Sequence, residues 1–337
     1  MTNKTLGALL DDFNDFHAWV AHAQASIWVL HAVSRTQLLD HLGDEPISMD
    51  ILAARAGMKP DMLRRVMNFL ASQGVIEVDG DDHVIHTDRS RSFQKRQSVL
   101  RWLSVNFPAG LKLDQAMTTG VSSFEHHYGQ PIFDYLSEKP DIADEFGKLM
   151  GSITSAFETF IFSNHQFKPF KQAVDIGGSH GQLMLRLMAE YPATTGVIFD
   201  LPGTAEQAAK NLEGSALKDR ITIVGGDFFK SVPAGGDLYL MKQILHDWSD
   251  DECVTILKNI RAGIAQNGRL AVIDFLLPEQ NVPHPGFALD INMMNLLTGG
   301  RERRLSEFEE LFAKSGFALD RVTENPNGQS LFEAVPV

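Results

Sequence analysis

Hydrophobic and polar positions alternate in three different textures along this chain. In the first hundred residues the apolar positions recur mostly at helical spacing. They do so from Ile27-Trp28-Val29-Leu30 through Leu38-Leu39. Ser48 stands where it would cap a helix running to Ala56, closed by the turn Gly57-Met58-Lys59-Pro60. Asp61 opens a second helix to about Gln73, with Leu63, Val66, Met67 and Leu70 along one face. Val75–Val78 and His83–His86 flank the turn residues Asp79-Gly80-Asp81-Asp82, a hairpin signal. Two helices followed by a hairpin predict a winged-helix-like unit over residues 1–100.

Residues 101–170 keep a helical texture, punctuated at Pro108, Gly120, Gly129-Gln130-Pro131 and Pro140, and read as a helical connector contributing to a substrate pocket. From residue 171 the period changes. Short apolar runs at Ala173–Ile176, Thr195–Phe199, Ile221–Val224, Leu238–Met241 and Leu270–Phe275 alternate with helical stretches. That alternation predicts an α/β fold with a doubly wound, Rossmann-like parallel sheet. Ala318–Val322 and Ser330–Ala334, around Asn325-Pro326-Asn327-Gly328, predict a closing antiparallel hairpin.

Composition narrows the function classes. A 44% hydrophobic content excludes a chain disordered throughout. The net charge of −13 opposes nucleic acid and anionic membranes as partners. A winged helix raises the possibility of DNA binding, but the first hundred residues hold ten basic and thirteen acidic side chains, and the second helix offers only Arg64 and Arg65. A protein-contact role is therefore favoured. The single cysteine, Cys253, excludes an internal disulfide and a cysteine-cluster metal site. No apolar run reaches the ~18–20 residues of a membrane span. Lys4, Asp11, Asp12 and Asp15 break the pattern of a signal peptide, so the cytoplasm is the expected location.

The candidate chemistry lies at the ends of the predicted strands. The first strand runs into Asp175-Ile176-Gly177-Gly178-Ser179-His180-Gly181, followed by a helix from Gln182 to Ala189. A dinucleotide fingerprint needs glycines at positions 1, 3 and 6, and from Gly177 those positions hold Ser179 and Gln182. No Gly-Lys-Ser/Thr follows for a phosphate loop. S-adenosylmethionine (SAM) sites use acidic-x-Gly-x-Gly-x-Gly, and Asp175, Gly177 and Gly181 match three of those four positions. Asp200 ends the second strand, placed to take both ribose hydroxyls. Asp227 ends the third, placed to accept from an adenine amine while Phe228 packs on the ring. The fourth strand leads to Lys242 and on to Leu245-His246-Asp247-Trp248, where His246 has the ordinary pKa, ~6.5, of a base useful near neutrality. Ser249-Asp250-Asp251-Glu252 then reads as a capping box opening a helix. Either Asp274, at the end of the fifth strand, or Glu302 can hold the imidazole. No His-x-His or His-Glu-x-x-His spacing occurs, so no metal is expected.

These runs, with Phe199-Asp200-Leu201-Pro202, Gly225-Gly226-Asp227-Phe228-Phe229, Gly299-Gly300-Arg301-Glu302-Arg303 and Phe146-Gly147-Lys148-Leu149-Met150, keep one order along the chain. In them the chain resembles the plant-type class I SAM-dependent O-methyltransferases, the family of the caffeic acid and hydroxyindole enzymes and of bacterial natural-product methyltransferases. The resemblance implies a homodimer built by the N-terminal domain and a SAM-binding catalytic domain over 171–337. It implies that Asp175, Gly177, Gly178, Gly181, Asp200, Leu201, Asp227, Phe228 and Lys242 line the cofactor, which leaves as S-adenosylhomocysteine. His246 would deprotonate a hydroxyl of a small aromatic acceptor, with Asp274 and Glu302 flanking or orienting it. Met150, Met293, Asp247 and Leu297 would line the acceptor. The chain departs from the pattern in Ser179, which replaces a loop glycine, in Asp274, which replaces a glutamate, and in Leu297, which replaces an asparagine of the plant enzymes. The same scaffold also supports decarboxylation, hydroxylation, pericyclic chemistry or N-methylation, and a SAM-sensing regulator is a third reading. Retention of His246 with both nearby carboxylates favours methyl transfer.

Overall fold

The structure, a computed structural model, describes residues 16–95, 97–325 and 328–337, with side chains apart from those at 16, 97–100 and 152–157. The opening segment discussed above, Arg96, and Pro326 and Asn327 of the closing turn lie outside the described residues. The described residues form two compact units: those up to 108 with 139–149, and 109–138 with those from 150 onward. The 101–170 segment is shared between them.

In the first unit, α1 (Phe16–Thr36) is followed by a short 3₁₀ turn, β1 (Ile47–Ser48), α2 (Met49–Ala56), α3 (Pro60–Ser72), β2 (Ile76–Val78), β3 (His83–His86) and α4 (Asp88–Lys95). The helical run does not continue through Leu38-Leu39. Gln37 takes a left-handed conformation, φ 51°, and the chain re-enters as the 3₁₀ turn Leu38–His41. The Ser48 hydroxyl accepts from the amide of Ile51 and caps α2, and Gly57 ends it at φ 66°. Leu63, Met67 and Leu70 of α3 pack into the unit's own core with Val33, Leu52 and Val84. The hairpin gains a third strand because β1 pairs with β3. Arg64 is held by Asp82 at 2.6 Å and by Asp61 at 3.3 Å, so its charge is answered within the unit.

Two helices, α5 (Gln97–Gly110) and α9 (Pro140–Asn164), carry the chain between the units. Pro108 does not break α5 but lies inside it, two residues from its end. Between them come α6 (Leu113–Thr119), α7 (Ser123–Tyr128) and α8 (Ile132–Ser137), with Gly120 and Gly129 as left-handed closures.

The second unit is built on β4 (Gln172–Ile176), β5 (Thr195–Asp200), β6 (Ile221–Gly225), β7 (Leu238–Lys242), β8 (Arg269–Leu277), β9 (Arg303–Arg304), β10 (Phe317–Thr323) and β11 (Gln329–Pro336). Their order is β10-β11-β8-β7-β4-β5-β6, with β9 beside the end of β8. Pairings from β8 to β6 are parallel, and those of β11 with β8 and β10 are antiparallel. Helices α10 (Gln182–Glu190), α11 (Pro202–Leu212), α12 (Asp250–Gly263), α13 (Pro285–Leu296) and α14 (Leu305–Lys314) complete it. The parallel strands are buried on both faces: Val174 and Ile176 enter one core with Ile256 and Phe332, and Ala173 enters the other with Leu187 and Ile198. Strand order reverses at β4, which has β5 on one side and β7 on the other. A crevice at the carboxyl ends of these strands is where such sheets take ligands.

Candidate active site

The loop after β4 shows why glycine is required there. Gly177 has φ +70°, and a Cβ on it would collide with the Ile244 side chain. At Gly181, φ +80°, a Cβ would meet Ile198. Amides of Gly177 and Gly178 donate to Phe199 O at 2.8 and 3.2 Å, which draws the loop against the end of β5. Ser179 is itself left-handed, φ +48°, so this position keeps a glycine-like backbone although its side chain differs. The amide of Ser179 donates to Asp200 Oδ2 at 2.8 Å, and that of Leu201 to Oδ1 at 2.7 Å. Burial raises the Asp200 carboxyl pKa, against these donors. Leu201 is half exposed.

Asp175 is buried at the loop's base with Oδ2 unpartnered. Burial, with Asp200 nearby, lifts it to about 7. Lys242 closes β7, and its Nζ donates to Gln243 Oε1 at 2.5 Å. Burial lowers its ammonium to about 8, against the pull of Asp274, Asp175, Glu158 and Asp247. One lysine is thus shared between the carboxylates of the glycine loop and those around the histidine. Asp227 lies two residues beyond β6. It accepts from the Phe229 amide at 2.9 Å and pairs with Lys230 at 3.1 Å, with Phe228 half-buried beside it and edge-on to Trp248.

His246 sits in the 3₁₀ turn Leu245–Asp247 and is buried. Its Nδ1 donates to Glu302 Oε1 at 2.9 Å and lies 3.6 Å from Asp274 Oδ1; its Nε2 is 3.4 Å from Asp247 Oδ1. The His246 amide also donates to Asp274 Oδ2 at 3.3 Å. Burial alone would lower the ring's pKa. Asp274, Asp247 and Glu302 outweigh it and hold the ring up at about 10. Burial in turn lifts Asp247 and Asp274 each to about 6, against the attraction of His246. Asp274 does not end β8, as its sequence position suggests. The strand runs on to Leu277 because Phe275 pairs with Gln329, and Leu276 and Leu277 pair with β9. Asp274 instead stands one residue past Ile273, the last residue paired with β7, which still places it at the ligand rim. Nδ1 and the two carboxylates lie within 4.8 Å of one another, donor types that also suit a metal ion, although here Nδ1 is engaged by Glu302.

Of the expected acceptor-side residues, Met293 is buried on α13, and Met150 and Leu297 are half-buried. Two contributors receive no role from the sequence: Arg303, although it closes the run from Gly299, and Glu158, which lies outside every motif. Arg303, 1% exposed, donates to the carbonyls of Leu245 and Trp248, both at 2.7 Å, and to Asp250 Oδ1 at 2.8 Å, which pins the turn bearing His246. Glu158 of α9 is 8% exposed with Oε1 unpartnered and lies near Lys242, Asp175 and Gln182.

Comparison with known proteins identifies the family. Residues 111–318 match the O-methyltransferase domain and residues 20–96 the O-methyltransferase dimerisation domain. The chain therefore belongs to the SAM-dependent O-methyltransferases. It is 34% identical over 319 residues to the phenazine O-methyltransferase PhzM of Lysobacter antibioticus, covering 92% of this chain and 93% of that one. It is 33% identical to the O-demethylpuromycin-O-methyltransferase of Streptomyces alboniger, over 92% and 85% of the two chains. Its fold is similar to that of CalO1, a methyltransferase in calicheamicin biosynthesis solved with S-adenosylhomocysteine bound, at TM-score 0.81 and 26% identity over 97% and 100% of the chains. The residues present suit SAM. The glycine loop leaves a cradle that a Cβ would fill, and the buried oxygens Asp175 Oδ2 and Glu158 Oε1 have no hydrogen-bond partner. Among the described residues no helix is long and apolar enough to cross a membrane.

Proposed function

We propose that this enzyme methylates a hydroxyl of a small aromatic acceptor, with His246 as the general base, and that it works as a homodimer through its dimerisation domain. The observation that carries the reading is the buried imidazole of His246, fixed at Nδ1 by Glu302 at 2.9 Å and set on the rim shared with the glycine loop. SAM, when bound, supplies an electrophilic methyl group on a sulfonium, and S-adenosylhomocysteine leaves. The names of the relatives, a phenazine O-methyltransferase and an O-demethylpuromycin-O-methyltransferase, support an aromatic natural product as acceptor. Asp175, Gly177, Gly178, Gly181, Asp200, Leu201, Asp227, Phe228 and Lys242 would hold the cofactor, and Met150, Met293, Asp247 and Leu297 the acceptor.

The electrostatics bear on when His246 acts. The surrounding carboxylates raise the ring's pKa to about 10 and so favour the imidazolium at neutral pH. Both nitrogens then carry protons, and Nε2 must lose its own before it can accept one from the acceptor. A positive charge taken up on the Lys242 side of the site lowers the ring's hold on that proton, because like charges disfavour the charged form. Base activation is thereby coupled to cofactor occupancy. Throughout, Nδ1–H stays on Glu302 and keeps the ring oriented. A phenolic hydroxyl with pKa ~10 gains ~10²–10⁴-fold from such a base. His246→Ala should lower S-adenosylhomocysteine formation by at least ~10²-fold, with SAM still bound in calorimetry. A full rate in this variant would remove His246 from the chemistry and point to positioning alone.

A further inference from the structure

Glu158 falls outside every motif that marks the cofactor pocket. It lies on α9, and its neighbours come from three other elements: Gln182 and Arg186 of α10, Asp175 near the end of β4 and Lys242 at the end of β7. The Gln182 side chain hydrogen-bonds one side of the carboxyl. Oε1 is buried and receives nothing, although the residue is only 8% exposed. Asp175 Oδ2, on a residue 2% exposed, is in the same condition. Two unanswered carboxylate oxygens, from different elements, thus sit around one lysine that already donates to Gln243 and is also drawn by Asp274 and Asp247. Most buried polar side-chain atoms find a partner, and a buried surplus of negative charge calls for a cation; the other unpartnered carboxylate oxygens, on Asp274, Glu302 and Glu333, each face a histidine, whereas those of Asp175 and Glu158 do not. SAM carries two cationic groups, the sulfonium and the ammonium of its methionine end. Only the ammonium offers N–H donors. Two acceptors with free lone pairs suit it, whereas the sulfonium needs only an uncharged or distant negative surface.

We propose that Glu158 is a cofactor-binding residue of this enzyme and that, with Asp175, it holds the ammonium group of SAM's methionine end. The inference rests on the reading that the loop 175–181 cradles SAM. Burial raises both carboxyl groups, Asp175 to about 7, against Lys242 and, for Glu158, against Arg186 and Gln182, and an arriving ammonium favours their ionised form.

Two ligands separate the ammonium from the rest of the molecule: S-adenosylhomocysteine and its deamino analogue, which keeps the carboxylate, thioether and nucleoside. Binding is measured by calorimetry on the full-length enzyme. Glu158→Gln keeps the shape and the Gln182 contact. It should weaken S-adenosylhomocysteine ~10-fold or more and leave the deamino analogue within about twofold of wild type. Equal binding of S-adenosylhomocysteine to both proteins overturns the proposal. So does an equal loss for both ligands, which would mark a structural role. A second measurement needs no variant. In two buffers of different ionisation heat near pH 7, wild-type enzyme should release more protons on binding S-adenosylhomocysteine than on binding the analogue, and equal release overturns the proposal. The reading beneath it has its own test: if Asp200→Asn and Gly177→Val leave S-adenosylhomocysteine affinity unchanged, the loop does not cradle the cofactor, whatever Glu158 does.

Discussion

At the scale of single residues, the site is a set of charges that burial makes uncomfortable and that neighbours partly relieve. Glu302 raises the affinity of His246 for its proton and also fixes the ring through Nδ1. The two roles separate in Glu302→Gln, whose amide oxygen still accepts from Nδ1 but carries no charge. A base works deprotonated, so the rate rises with pH through the ring's pKa. Removing a carboxylate that raises that pKa should move the acidic limb of kcat/KM to lower pH by about 1–3 units, as a pH–rate profile would show. Asp175 gives a stability test. Its folded value, about 7, lies above its unfolded value, so the native state binds the proton more tightly. That contribution is complete below the unfolded pKa of ~3.9 and is lost as pH rises to about 7. Asp175→Asn should therefore raise the melting temperature of the ligand-free enzyme at pH 8, by up to roughly 4 kcal/mol of unfolding free energy, and change little near pH 4. Asp175 could be read from its motif because the spacing to Gly177 and Gly181 is local. Glu158 could not: it sits in a helix of ordinary period, and only the fold brings Asp175, Lys242 and Gln182 near it.

At the scale of elements, caps and alternation are written locally and were legible. Ser48 closing the start of α2, Gly57 its end, and the Ser249–Glu252 capping box of α12 follow from side chains within four residues of one another. The five parallel strands stand out because burial on both faces makes them nearly all apolar. What failed was long-range. The extension of β8 to Leu277 depends on β9, two residues long and some thirty positions away, and no local pattern marks it. The break at Gln37 is a left-handed residue that is not glycine. Arg303 shows how such a distant piece matters. It leaves β9 to satisfy the carbonyls of Leu245 and Trp248 on either side of His246. Arg303→Met should remove two short charge-assisted hydrogen bonds to these carbonyls and the ion pair with Asp250, leaving only the weaker contacts of the Trp248 amide and the Cys253 thiol, and cost about 3 kcal/mol, read in denaturant unfolding. Turnover should fall further than cofactor affinity, because the turn that bears the imidazole loses its anchor while the glycine loop keeps its own.

At the scale of the whole molecule, the first unit carries a core of its own and presents apolar side chains to solvent. Val20, Ile27 and Trp28 share a face of α1 at helical spacing, and Trp28 is 56% exposed. Exposed aromatic and branched residues together mark an association surface. The enzyme should run at twice its 37.4 kDa chain mass in light scattering, and Trp28→Glu with Ile27→Glu should bring it toward the single-chain mass. The second unit has a different peculiarity, set by the place of β11. That strand, Gln329–Pro336, lies between β8 and β10, not at an edge. A ribosome making this chain therefore releases the glycine loop, the histidine turn and every parallel strand before the piece that joins β10 to them has been synthesised. The nascent catalytic half must wait with an unpaired strand edge, open to any other extended chain, while the first unit can already fold. The interval between those two events is when a chaperone would have most to do.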